Sequence, residues 1–347
     1  MKKILIIVGA RPQFVKLAPV LAALRARDQL QAVVVHTGQH FDPGMSDIFF
    51  DELGLSPPNH HLGIHGGTHG RMTGRMLAAI DDTILVENPA AILVVGDTNS
   101  TLAGALAAAK LHVPVAHLEA GLRSFNKAMP EEINRVLTDH VSSLLFCPTV
   151  AAVDNLARES IHAGVHHVGD VMFDAIVMFR DRANKTSHIL ERLGLAEEAY
   201  VVATLHRAEN TDDPVRLGTL LDYVKRSAEK PVVMPLHPRT REKISTFGLS
   251  TDGMTIVEPI GYLDMIHLVG SSGGVFTDSG GLQKEAYFLR RPCVTLRDET
   301  EWTETITHGW NRLWSVTDYQ ARQPITDYGD GNASGQVAAV LEQFLSR

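Results

Sequence analysis

Lys3-Ile4-Leu5-Ile6-Ile7-Val8 runs directly into Gly9-Ala10-Arg11-Pro12-Gln13-Phe14-Val15-Lys16. An unbroken apolar run with no polar alternation is the pattern of a strand buried on both faces, as in a parallel sheet. Gly9 ends it, and Pro12 suits the opening position of a helix because its missing N–H costs nothing there. The stretch therefore reads as strand, turn, helix, the first beat of an α/β fold.

The beat repeats outward along the chain. Apolar strands are expected near 32–37, 91–95, 113–117 and 144–147, then near 201–205, 231–236, 255–257, 274–277 and 293–296, each followed by glycine or polar residues and a helical segment. At 347 residues the chain exceeds what one core usually holds. Two Rossmann-like, doubly wound units of about 160 residues each fit both length and rhythm. No Gly/Ser or Pro-rich linker separates them. The boundary is placed at Gly169-Asp170, giving domains 1–169 and 170–335, with the amphipathic segment 336–347 packing back on the first domain.

Lys+Arg 32 against Asp+Glu 40 leaves a net charge of −8, which argues against a nucleic-acid coat. Aromatic residues make up 6%, and no basic patch interleaves with them, so a single-strand binding groove is not expected. The apolar run after Met1-Lys2-Lys3 stops at Gly9, too soon for a signal peptide, and no stretch approaches the roughly 20 residues that cross a bilayer. Cys147 and Cys293 stand alone, without a C-x-x-C or Cys/His cluster. A cytoplasmic protein without membrane or nucleic-acid partners is expected.

In open parallel sheets ligands bind beyond the carboxyl ends of the strands. Those ends here read Thr37-Gly38-Gln39-His40, Gly96-Asp97-Thr98-Asn99, His117-Leu118-Glu119-Ala120-Gly121, Leu205-His206-Arg207, Leu236-His237-Pro238 and Thr277-Asp278-Ser279-Gly280-Gly281. Neither G-x-G-x-x-G nor G-x-x-x-x-G-K-[ST] is present, so a dinucleotide fingerprint and a P-loop are both missing. Ser279-Gly280-Gly281 opening a helix can hold a phosphate on backbone N–H groups, or can be a bare cap. Arg11 and Lys16 are either solvated charge or a clamp on diphosphate oxygens.

Asp97, Glu119 and Glu131 form a carboxylate set. Asp97 sits where a helix cap is also expected, and Glu131 and Glu132 follow Pro130, where the helix dipole alone favours acidic residues. Glu119 has no capping pattern to explain it. Of the 17 histidines, His60, His61, His65, His69, His166 and His167 fall in loop-like stretches. His206 and His237 end strands, where hydrogen bonding to substrate is favoured over metal ligation because no close-spaced ligand pair accompanies them.

Together GARPQFVKLAP (9–19), TGQH (37–40), GDTNSTLAGALAA (96–108), HLEAGLRS (117–124), PEEINRVLTD (130–139), LHRAEN (205–210), LHPRT (236–240) and TDSGGLQKEA (277–286) closely resemble the non-hydrolysing UDP-N-acetylglucosamine 2-epimerase family along nearly the whole chain. The resemblance implies a GT-B architecture, two Rossmann-like domains facing a cleft, in a homodimer. It puts Arg11 and Lys16 on the nucleotide and its phosphates, Ser279, Gly280 and Gly281 on the diphosphate, and Glu285 on the ribose. Asp97, Glu119, Glu131 and His206 match positions tied to catalysis, and no metal or redox cofactor is implied.

A GT-B glycosyltransferase would need an acceptor surface and one base rather than several carboxylates. A non-catalytic nucleotide-sugar sensor would keep the phosphate residues and lose the carboxylates, which are all present. UDP-N-acetylglucosamine is the expected substrate. Thr300-Glu301-Trp302-Thr303-Glu304, where plain members commonly read Thr-Glu-Arg-Pro-Glu, resembles instead the branch acting on UDP-2,3-diacetamido-2,3-dideoxyglucuronate. Trp302 is open to a second reading as core. After Gln39-His40 comes Phe41-Asp42-Pro43 in place of the Arg and Gln common in substrate-activated members, so the resemblance does not by itself imply allostery.

Overall fold

A computed structural model describes residues 1–39, 50 and 52–346, with the Arg11 side chain outside the described part. The chain divides into two compact units, Met1–Ala175 with Thr326–Arg347, and Ile176–Ile325.

The first unit is built on β1 (Lys2–Val8), β2 (Leu30–His36), β3 (His60–His61), β4 (Ala91–Val95), β5 (Val115–Leu118), β6 (Leu144–Cys147) and β7 (Val165–His167). All pairs are parallel, in the order β3-β2-β1-β4-β5-β6-β7. The second unit carries β8 (Val201–Thr204), β9 (Val232–Pro235), β10 (Met254–Val257), β11 (Val275–Thr277), β12 (Cys293–Thr295) and β13 (Asn311–Leu313), also parallel, in the order β10-β9-β8-β11-β12-β13. Strand order therefore reverses between β1 and β4 in one sheet and between β8 and β11 in the other. Those two switch points are where ligands bind in such sheets.

Ile4 to Val8 are fully buried, as their apolar run requires. Leu5 and Ile7 pack with Ile92, Val94, Met76 and Ile80, and the alanine-rich helix Asn99–Lys110 lies close over them. A Cβ on Gly104 would come within 3.0 Å of Ile7 and 3.1 Å of Val94, so this close approach depends on glycine. Each such buried aliphatic side chain contributes about 1.5–3 kcal/mol.

Strands β3, β7 and β13 were not among the sequence expectations. His60, His61, His166 and His167 correct the loop reading directly, since all four lie on edge-region strands β3 and β7. Those strands span two and three residues and are rich in histidine, so they carry no apolar periodicity to detect.

Helix Ala333–Leu345 packs on helix Arg11–Arg25 within the first unit, with Arg27 Nη1 3.1 Å from Glu342 Oε2. Its cap comes from elsewhere in the chain. Asn332 makes no side-chain cap bond, and Asp174 instead accepts from Ala333 N at 3.1 Å and Ser334 N at 2.6 Å. Burial raises the Asp174 carboxyl above its usual range, partly offset by those N–H donors.

Candidate active site

In the first unit the loops after β1 and β4 meet across the switch point through one buried amide. Gln13 Oε1 accepts from Gly9 N at 2.7 Å and Ala10 N at 2.9 Å, while Nε2 donates to Val95 O at 2.7 Å. Sequence reading gave Gln13 no role. Its position in the first turn of the helix after β1, facing the next strand end, is the signal that identifies such a strut.

Thr98, not Asp97, is the cap of helix Asn99–Lys110, accepting from Thr101 N at 3.3 Å. The Asp97 carboxylate is thereby released from capping and pairs with Arg135. Its side chain is 31% exposed, so it is held by a cation yet open to solvent.

Glu119 follows β5 with φ +69°, a left-handed backbone that costs a non-glycine residue about 1–3 kcal/mol and clusters at functional sites. The residue is 6% exposed, and its carboxylate is ion-paired with Lys16. Gly96, φ +64°, immediately precedes Asp97 and lies close to the Glu119–Lys16 pair: a Cβ there would sit 3.3 Å from Glu119 Oε2 and 3.9 Å from Lys16 Nζ. The chain thus brings Asp97, Glu119 and Lys16 to adjacent strand ends, and Lys16 contacts a carboxylate here.

The structure separates the two glutamates that follow Pro130. Glu132 is buried and accepts from Ser124 N at 2.9 Å, Ser124 Oγ at 3.0 Å, Phe125 N at 2.9 Å and Arg135 Nη1 at 3.0 Å. It holds the loop at Phe125, whose φ is +59°. Glu131 is half-buried, and its carboxylate makes no hydrogen bond or ion pair with a described residue, which leaves it available for chemistry.

Asp278 plays the bridging part in the second unit. It accepts from His206 N at 3.0 Å, Arg207 N at 3.0 Å and Asn210 Nδ2 at 3.1 Å, tying the end of β11 to the end of β8. Burial would raise its carboxyl, but His206 and these donors outweigh burial and hold it below the usual range. His206 Nδ1 lies 3.1 Å from Asp278 Oδ1, with the side chain 46% exposed. A carboxylate on Nδ1 fixes the ring orientation and leaves Nε2 for a ligand.

Ser279 caps helix Gly280–Phe288, its Oγ accepting from Leu282 N at 3.3 Å. Gly280 permits a close approach: a Cβ there would meet Glu301 Oε1 at 2.6 Å and Trp302 Nε1 at 3.4 Å. Glu301 is itself held by Arg297 Nη1 at 2.9 Å. Glu285 neighbours Tyr262, whose phenol is pushed far above its usual range by burial and then by that carboxylate. Trp302 is 4% exposed with Lys284 Nζ 3.8 Å from its ring centroid, so it is a packed platform for a buried cation, the core reading of the two. His40 and residues 41–43 lie outside the described residues, as does the Arg11 side chain.

Comparison with known proteins matches residues 22–342 to the family model described as UDP-N-acetylglucosamine 2-epimerase. The chain belongs to the UDP-N-acetylglucosamine 2-epimerase family. The epimerase is 52% identical over 364 residues to the UDP-2,3-diacetamido-2,3-dideoxy-D-glucuronate 2-epimerase of Pseudomonas aeruginosa, covering 99% of this chain and 100% of that one. It is 43% identical over 322 residues to the UDP-N-acetylglucosamine 2-epimerase of Methanocaldococcus jannaschii, covering 90% and 88%. The crystal structure of the Methanocaldococcus jannaschii UDP-GlcNAc 2-epimerase in complex with UDP-GlcNAc and UDP superposes with TM-score 0.89 at 39% identity, over 98% of this chain and 99% of that one. The epimerase is thus an isomerase of GT-B-like α/β fold. No helix among the described residues is long and apolar enough to cross a membrane.

Proposed function

We propose that the epimerase inverts C2 of UDP-2,3-diacetamido-2,3-dideoxy-D-glucuronate by eliminating UDP and adding it back. The observation that carries the substrate is the 52% identity along the full length of the Pseudomonas aeruginosa enzyme, against 43% over nine-tenths of this chain for the Methanocaldococcus jannaschii one. This reverses the order expected from sequence, where UDP-N-acetylglucosamine stood first. The Trp302 ring packs on Lys284 beside Gly280.

The C2–H bond of the sugar is not acidic by itself. As the C1–O bond breaks, UDP leaves with the bonding pair and C1 gains oxocarbenium character, which lets a carboxylate take the C2 proton. A C1=C2 double bond forms, giving a 2,3-diacetamido glycal that keeps the C6 carboxylate. Protonation at C2 from the opposite face and return of the UDP oxygen to C1 complete the inversion. Ser279, Gly280 and Gly281 hold the diphosphate on N–H groups and the helix dipole, Glu285 takes the ribose hydroxyls, and Arg11 and Lys16 add positive charge for the leaving group. Asp97, Glu119 and Glu131 share the roles of base and acid, and His206 presents Nε2 to the ligand.

Side-by-side kcat/KM values test the substrate. The diacetamido uronate is expected to be preferred by at least about tenfold, roughly 1.4 kcal/mol in transition-state binding. Equal values, or a preference for UDP-N-acetylglucosamine, would overturn the assignment.

A further inference from the structure

His117 lies on β5, two residues before Glu119, and is fully buried, as is its partner Asp139. Its Nδ1 is 2.6 Å from Asp139 Oδ1, and its Nε2 is 2.7 Å from the Gly96 carbonyl oxygen. A carbonyl can only accept, and an ionised carboxylate can only accept. Nε2 therefore donates to the Gly96 carbonyl, and Nδ1 and Asp139 share a proton.

Asp139 is ringed by donors. Burial would raise its carboxyl, but His117 and Arg123 together outweigh burial and hold it below the usual carboxylate range. Arg123 Nη1 reaches Asp139 Oδ2 at 2.7 Å, and the same guanidinium forks onto Glu159 at 2.7 and 2.8 Å. Gly121 N also donates to Asp139 Oδ2 at 3.1 Å. Asp139 thus anchors both the ring of His117 and the turn that follows Glu119.

The other end of the imidazole fixes Gly96. Gly96 N donates to Leu118 O at 2.9 Å, and Gly96 O accepts from His117, so both backbone groups of Gly96 are tied to β5. Asp97 swings from Gly96, and Glu119 follows Leu118. The backbone that leads into Asp97 is thus tied by hydrogen bonds to residues 117–118, the segment that leads into Glu119.

We propose that His117 is a positioning residue for the epimerisation, holding Asp97 in register with Glu119 through the Gly96 carbonyl. The inference rests on the proposed proton-transfer roles of those carboxylates. It differs from a packing role in one respect: the bond to Gly96 matters for turnover, and the contact with Asp139 serves to aim it.

Two substitutions separate the two ends of the ring. In His117→Asn the amide nitrogen falls near the Nδ1 position and can meet Asp139, leaving Gly96 O without its donor. In His117→Gln the amide nitrogen falls near Nε2 and can meet Gly96 O. Wild-type turnover of the UDP-sugar is the reference, so absence of epimerisation by the wild type would fault the proposed function and not the role of His117. With that reference in hand, His117→Asn is expected to lose about tenfold to a hundredfold in kcat with KM within about threefold, and His117→Gln to stay within about fivefold of wild-type kcat. UDP affinity by calorimetry should be unchanged in both. Equal losses in the two variants, wild-type kcat in His117→Asn, or failure of both to fold would each overturn the proposal, the last by assigning His117 to folding alone.

Discussion

Asp97→Asn and Glu119→Gln should each lower turnover by about two to four powers of ten while leaving UDP affinity within about threefold of wild type, the usual signature of a lost general acid or base. Both side chains stand at the ends of adjacent strands, each beside a cation: Asp97 on Arg135 and Glu119 on Lys16. An amide in either place keeps the shape and removes the proton-carrying charge. The proposed diphosphate residues Ser279, Gly280 and Gly281 belong to the other unit, and neither substitution removes Arg11 or Lys16, so nucleotide binding should survive. Glu131 and Glu132 provide an internal contrast. Glu131→Gln should lose turnover without loss of melting temperature, whereas Glu132→Gln should lose melting temperature, because Glu132 satisfies Ser124 N, Phe125 N and Arg135. Paired rate and melting measurements decide it, and wild-type rates in the Asp97 and Glu119 variants would return both residues to a structural role.

Lys16→Met should destabilise the protein by about 3 kcal/mol, the low end for breaking a buried ion pair. The low end applies because the Lys16 side chain keeps 12% of its exposure and Glu119 keeps 6%. The loss arises from removing the Lys16 ammonium from the buried Glu119 carboxylate, on a backbone already held at φ +69°. At roughly 2–4 °C per kcal/mol, the melting temperature should fall by about 6–12 °C. Adding Glu119→Gln should recover most of it, since two neutral partners leave no buried charge uncompensated. A fall in Lys16→Met that the second substitution deepens would show that the pair does not stabilise this turn.

What the sequence made legible followed from side-chain type. Ile4 to Val8, Ala91 to Val95 and the other apolar runs read correctly because burial on both faces leaves only one pattern. β3, β7 and β13 stayed invisible because strands of two or three residues, carrying His60, His167 or Arg312, are created by their neighbours' ladders. At the site, Asp97 and Glu119 were readable from their place after strands. Glu131 could not be told from Glu132 by spacing, because the difference lies in the loop of Ser124 and Phe125 folding onto one of them. Gln13, Arg135, Asp139 and Asp278 act by bridging elements distant in sequence, such as Gln13 with Val95 and Asp139 with His117. No local pattern announces such pairs.

The most direct test of proton transfer at C2 is turnover of the UDP-sugar in deuterium oxide, followed by NMR of the product. In the proposed mechanism the proton removed from C2 sits on a carboxylate that exchanges with solvent, Asp97 being 31% exposed and Glu131 half-buried, so deuterium should appear at C2 of the epimerised sugar. Epimerised product that keeps its original protium at C2 would contradict elimination and re-addition through these carboxylates.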